Sequence, residues 1–210
     1  MTALLAEQPK AINAMDVFLN PPDDKIYELV EGKLVEKQVG IKSAFVAFRV
    51  AYELESFARS RKLGWATTEG YILCFPWLKK HGRRPDVVFY RTDRLAAPGN
   101  EPPTVAPNIV VEVVSPTDKA TDVERKLAEY QRAGVDLVWI VNYDVRNIRV
   151  HRIDGTVRVY HAHDTITAEP VLEGFTCVVN SVLPEAELEV DSSDVAPDKA
   201  SPDKPVDAGA

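Results

Sequence analysis

The sequence predicts an α/β (α+β) domain, a mixed β-sheet core flanked by helices. Three observations carry the prediction. Strand-length apolar runs recur as PDVVFY, IVVEVV and VDLVWIVNY. Two segments with helical spacing are interleaved with those runs. Tight-turn signals, Glu31-Gly32 and Asp154-Gly155, sit between pairs of short alternating segments near either end.

Residues 1–20 read as an N-terminal arm, 21–190 as one domain, and 191–210 as a disordered tail rich in Pro, Asp, Ala and Ser. Within the domain, KIYELVEGKLVEK reads as a hairpin. Residues 43–61 read as a helix, with Phe45, Phe48, Tyr52, Leu54, Phe57 and Ala58 near helical spacing and Leu63-Gly64 as its end. GWATTEGYILCF is extended, KKHGRR is a basic loop, and PDVVFY and IVVEVV are strands separated by a Pro-rich loop. TDVERKLAEYQRAG is the best-defined helix: Thr121 and Glu124 suit a capping box, Val123, Leu127 and Tyr130 form one apolar stripe, and Gly134 suits the position just past the end. VDLVWIVNY is a further strand, and IRVHRI and VRVYHAH close the domain as a hairpin.

Composition bounds the class. Hydrophobic residues make up 45% and charged residues 27% of the 210, ordinary for a soluble globular domain with a real core. No apolar run reaches membrane-span length, and the start carries no secretory pattern. Cys74 and Cys177 stand far apart in no CxxC pair, which suits two core thiols in a reducing cytoplasm. The net charge of −7 is concentrated from Glu185 onward, where eight acids meet two lysines, so the rest of the chain is close to neutral. That balance neither forbids nor supplies a nucleic-acid surface.

Glu112 is the anomaly. It stands inside IVVEVV, where burial of a charge is costly unless the group is paired, binds a metal or takes up a proton. Asp86 opens PDVVFY, so the two carboxylates fall on separate strands and converge if those strands pair. Lys126 lies on the helix after Glu112, three residues after Val123 and four before Tyr130, and can reach back over that strand. Two convergent carboxylates repel, and a hard divalent cation, Mg²⁺ or Mn²⁺, relieves the repulsion through oxygen ligands. Such an ion polarises a phosphodiester and activates water, while an ammonium group stabilises developing negative charge. Glu69, on the preceding extended segment, is a further acid for the rim.

The run of motifs resembles a known group. P-D, a loop, then a strand with E, as in PDVVFY and IVVEVVSPTD, is the skeleton of the PD-(D/E)XK nuclease superfamily. With YELVEGKLVEK before it and KLAEYQRAGVDLVW, IRVHRIDG and VLEGFTCVV after it, nearly the whole domain is similar to the Uma-two family of bacterial restriction-endonuclease-like proteins. The resemblance implies a restriction-endonuclease-like fold, a metal-dependent DNA endonuclease activity, Asp86 and Glu112 as metal-binding acids, and a homodimer. The superfamily lysine belongs two residues after the glutamate, where this chain has Val114; Lys126 stands where Uma-two-like proteins carry a substitute. Glu28 could match the N-terminal glutamate of such nucleases, or be a surface strand residue.

Other readings stay open from residues alone. Glu112 could form a structural ion pair with Arg125 or Lys126, and Lys126 could pair with Asp122 on its own helix. The basic loop, with Lys79, Lys80, Arg83 and Arg84, could hold a nucleic-acid backbone or lie solvated. Val114 in place of lysine also leaves open a non-catalytic nucleic-acid-binding or assembly protein that keeps the fold.

Overall fold

The computed structural model describes residues 16, 20–70, 81–101 and 103–185. Most of the predicted arm, the predicted tail, Cys74, Lys79 and Lys80 lie outside the described residues. The first strands among the described residues form a two-stranded hairpin, β1 (Tyr27–Val30) and β2 (Lys33–Glu36). Val30 pairs with Lys33, and both loop residues take positive φ, 52° at Glu31 and 80° at Gly32, as a two-residue turn of right-handed twist requires.

Helix α1 (Ile41–Arg61) follows, then a six-stranded sheet ordered β3 (Gly64–Thr68), β4 (Val87–Arg91), β5 (Ile109–Val114), β6 (Leu137–Asn142), β7 (Asn147–Arg152) and β8 (Val157–His161). Every neighbouring pair is antiparallel except β5 and β6, which run parallel and are joined through helix α2 (Ala120–Ala133). A second hairpin, β9 (Thr165–Ala168) and β10 (Leu172–Val178), and the one-turn helix α3 (Val179–Val182) complete the described chain.

Both faces of the central strands are covered, which is why they read as continuous apolar runs. Val87, Phe89, Ile109, Val111, Val113, Leu137, Trp139 and Val141 pack with α1 and the β9–β10 hairpin. Their alternates, Val88, Tyr90, Val110, Val138 and Ile140, pack with Leu127, Tyr130 and Val123 of α2. Glu112 alternates with Val111 and Val113, so it belongs to the α2 side.

Three local expectations are corrected. The buried stripe of α1 is Val46, Ala47, Val50, Leu54 and Ala58, while Phe48 and Tyr52 are 62% and 59% exposed and Phe45 is also exposed. Small residues let the helix sit close to the sheet, so the larger aromatic side chains fall on its outer face. The helix ends at Lys62, which takes φ 57° itself; Gly64 already belongs to β3. At α2 the N-cap is Lys119 with no side-chain cap bond, so the Thr121 capping box does not form. Asp118 is used in the turn before it, accepting from Ser115 N at 2.7 Å and Ser115 Oγ at 2.8 Å. Gly134 ends α2 with φ 85° as expected.

The revised α1 face is testable by denaturant unfolding. Leu54→Ala, at a fully buried position, is expected to cost about 2–5 kcal/mol, whereas Phe48→Ala is expected to stay within about 0.5 kcal/mol of wild type.

Candidate functional site

The site forms where the first hairpin, β4, β5 and α2 meet, at one end of the sheet. The register that pairs Val87 with Val111 sets Asp86 across from Glu112, so both carboxylates share the α2 side. Both residues are buried at 5% exposure. Asp86 Oδ2 accepts from Val113 N at 2.7 Å, and Asp86 Oδ1 accepts from Lys37 Nζ at 2.7 Å. Glu112 Oε2 accepts from Lys126 Nζ at 3.1 Å, and Glu112 Oε1 accepts from the Tyr130 hydroxyl. Lys126 and Tyr130 are one helical turn apart on α2, which is how both reach the same carboxylate.

The hairpin supplies two further groups. Glu28, on β1, accepts from Arg84 N at 3.1 Å and Arg83 Nη1 at 3.0 Å, and lies 3.2 Å from Lys126 Nζ. Lys37, just past β2, also donates to Arg84 O at 2.7 Å. Backbone bonds between Leu29 and Gly82, 2.8 and 2.9 Å in the two directions, fasten the hairpin to the segment before Asp86. Glu69 sits on the rim with φ 53°, held by a bond from its N–H to Asp86 O at 3.0 Å. Its Oε2 is 3.6 Å from Lys37 Nζ and is buried without a hydrogen-bond partner among the described residues.

Behind these groups lies a second layer. Arg83 is buried and forks onto Glu129 of α2, Nε to Oε2 at 2.6 Å and Nη2 to Oε1 at 2.8 Å. The sequence had offered Arg83 as a nucleic-acid contact; its guanidinium is instead committed to Glu129 and Glu28 inside the protein. Arg84 is partly buried, and its backbone groups serve Glu28 and Lys37. Lys126 makes its ion pairs with Glu112 and Glu28; Asp122 pairs with Arg125 at 3.2 Å.

Electrostatics follow from this packing. Burial and the charges of Asp86 and Glu28 push the Glu112 carboxyl above its ordinary range, against the pull of Lys126 and Lys37. Burial alone would lower Lys126, but Glu112 and Glu28 overcome it and hold the ammonium charged. Lys37 is raised likewise, with Asp86 and Glu112 outweighing burial. For Glu28 burial acts upward, yet Lys126 and Arg83 hold its carboxyl below the usual range. Tyr130 is pushed well up by burial and by Glu112, so its hydroxyl keeps its proton and donates it.

Among the described residues, five carboxylates (Glu28, Glu69, Asp86, Glu112 and Glu129) thus meet three fixed cations, Lys37, Arg83 and Lys126, with His81 3.6 Å from Glu129. With every acid ionised, and leaving His81 aside, these described groups fall two positive charges short. A divalent ion fits that deficit, and the donors are the hard oxygens such an ion takes. Among the described residues no three His, Cys, Asp or Glu side chains converge into a closed metal cage. The fit is therefore to an open site, with two protein carboxylates, Asp86 and Glu112, and water or substrate oxygens completing the shell. A cleft of about 830 Å³ opens over these groups and gives them access to solvent and substrate.

The Uma2 family, described as "putative restriction endonuclease", matches residues 14–180. The chain belongs to the Uma2 family. The match spans every site residue from Glu28 to Lys126. A putative nuclease from Anabaena variabilis shares the fold, with a TM-score of 0.69 at 16% identity, covering 81% of this chain and 97% of that one. No curated protein matches. No described helix is long and apolar enough to cross a membrane. Fold and family together make this Uma2 protein nuclease-like in architecture.

The sequence did not single out Lys37, Arg83 as an internal cation, Glu129 or Tyr130 as a donor. Tyr130 and Glu129 had a signal available, since both lie within one turn of Lys126. Arg83→Met would leave Glu28 and Glu129 buried without their guanidinium, and urea unfolding is expected to show a loss of about 3–5 kcal/mol. The lowered Glu28 carboxyl adds a pH signature. Its contribution is complete above about pH 4.3, the ordinary value, and is lost as pH falls through the lowered one. Acid titration of stability is therefore expected to be less steep in Glu28→Gln than in wild type.

Proposed function

We propose that this protein is a divalent-metal-dependent endonuclease that hydrolyses phosphodiester bonds of DNA. Asp86 and Glu112 are its metal-binding acids, with Mg²⁺ or Mn²⁺ as the ion. The observation that carries the reading is the meeting of these two buried carboxylates in the lining of an open cleft, within a group of acids that outnumbers its fixed cations among the described residues. Membership of a family described as "putative restriction endonuclease" adds to it.

Bound there, the ion would supply Lewis acidity toward a phosphodiester oxygen and lower the pKa of a bound water. The protein's own groups have distinct tasks. Glu112 is oriented by Tyr130 and Lys126, and Asp86 by Val113 N–H, so neither needs to reorganise when charge develops. Lys126 is held charged by Glu112 and Glu28, which suits it to stabilise negative charge and not to accept a proton. Glu28, braced by Arg83, positions that ammonium. Cutting both strands of a duplex calls for two such sites, and hence a homodimer.

One observation favours a second reading, a nucleic-acid-binding or assembly protein that keeps the fold without catalysis. Each oxygen of Asp86 and Glu112 already has a donor from the protein. Cleavage of supercoiled plasmid separates the two. The endonuclease reading expects nicking or linearisation with Mg²⁺ or Mn²⁺, lost with EDTA, and a drop on the order of a hundredfold or more in Asp86→Asn and in Glu112→Gln. DNA binding indifferent to Mg²⁺, with no cleavage, would favour the second reading.

A further inference from the structure

Lys37 has the environment of a bound cation. Its ammonium sits 2.7 Å from Asp86 Oδ1 and 2.7 Å from Arg84 O. Glu69 Oε2 lies 3.6 Å away, too far for a hydrogen bond, and that oxygen is buried with no other partner among the described residues. Glu112 adds a third negative charge acting on the same ammonium. One singly charged group therefore faces three carboxylates and is hydrogen-bonded to Asp86.

We propose that Lys37 holds the cation position of the acid cluster, so that a divalent ion binds only by displacing its ammonium from Asp86. The inference rests on the metal-dependent reading above and adds to it the residue that sets metal affinity. An ammonium is a compact point charge with hydrogen-bonding range, whereas a divalent ion carries twice the charge and draws oxygen ligands to about 2.0–2.1 Å. The two cannot share Asp86 Oδ1 without strong repulsion. Displacement is mechanically open to Lys37. Only its ammonium is tied, the four-carbon stem is flexible, and the residue lines the cleft of about 830 Å³ into which it would swing. Its backbone need not move: Lys37 N donates to Ile26 O at 2.8 Å and stays part of the hairpin. Lys126 differs, because it is wedged between Glu112 and Glu28, and Glu28 is fixed in turn by Arg83.

The position also gives the metal-free protein a defined state. Without Lys37, Asp86, Glu69 and Glu112 would repel with no fixed cation between Asp86 and Glu69. With it, the cluster is partly neutralised until an ion arrives.

The test is Mn²⁺ binding by isothermal calorimetry on the full chain, alongside the Mn²⁺-induced rise in melting temperature. Lys37→Met removes the charge and keeps the stem. Lys37→Gln keeps a hydrogen-bond donor toward Asp86 and guards against a variant that is merely misfolded. Lys25→Met removes the same charge from the same hairpin at an exposed pair with Glu36, as the control. Both Lys37 variants are expected to bind Mn²⁺ on the order of tenfold tighter than wild type or better, with a larger thermal shift, while Lys25→Met binds as wild type does. Equal or weaker binding by the Lys37 variants, with wild type binding Mn²⁺, would overturn this inference and leave the metal-dependent reading intact. No Mn²⁺ binding by any of the proteins would overturn both.

Discussion

A carboxylate buried in the middle of a sheet constrains everything around it. Glu112 occupies an inward position of β5, between strands covered on both faces. Its ionised form is tolerable only because two separate elements bring it partners. α2 delivers Lys126 and Tyr130 and the first hairpin delivers Lys37, while Asp86, from the turn before β4, and Glu28, from the hairpin, act against that charge. Each partner in turn is buried or nearly so and needs its own counter-charge, which is why the network extends back through Arg83 to Glu129. The cluster links the hairpin, the sheet and α2 into one unit, so it is structural as well as chemical.

The arrangement does not look like an optimised ion-pair network. A purely structural cluster of this size would be expected to balance its charges, since an unpaired buried charge is costly. Here, among the described residues, the acids outnumber the fixed cations, Glu112 is pushed up by burial and by Asp86 and Glu28, and Glu69 keeps a buried oxygen without a donor. Glu69, Asp86 and Glu112 meet Lys37 and Lys126, and behind them Glu28 and Glu129 meet Arg83, so each part is short of one positive charge. What differs is the bonding: Arg83 hydrogen-bonds both rear carboxylates, whereas Glu69 Oε2 has no hydrogen-bond partner among the described residues, which leaves an oxygen for an external cation.

Much of this was legible in the sequence. Glu112 stood out because one charge interrupts a run of five apolar residues, and Lys126 because helical spacing carries it back over that strand. Strand and helix order followed from periodicity, since the sheet is covered on both faces and its central strands stay apolar throughout. What was hidden depends on long-range pairing. Lys37 ends an alternating hairpin in which lysines are commonplace, and nothing local says that its ammonium reaches Asp86, 49 residues on. Arg83 looked like part of a solvated basic loop because Glu28 and Glu129, which claim it, lie 55 and 46 residues away. On α1 the aromatic side chains outweighed the small ones in a hydrophobicity reading, yet close packing on the sheet selects Ala47 and Ala58.

The central claim is that the acid cluster is a divalent-cation site whose protein ligands are Asp86 and Glu112. Anomalous diffraction from a crystal soaked in Mn²⁺ tests it most directly. The account predicts an anomalous peak bound to both carboxylates, at metal–oxygen distance, with the Lys37 ammonium moved off Asp86. A peak elsewhere, or none, with the Lys37–Asp86 and Lys126–Glu112 pairs intact, would contradict it.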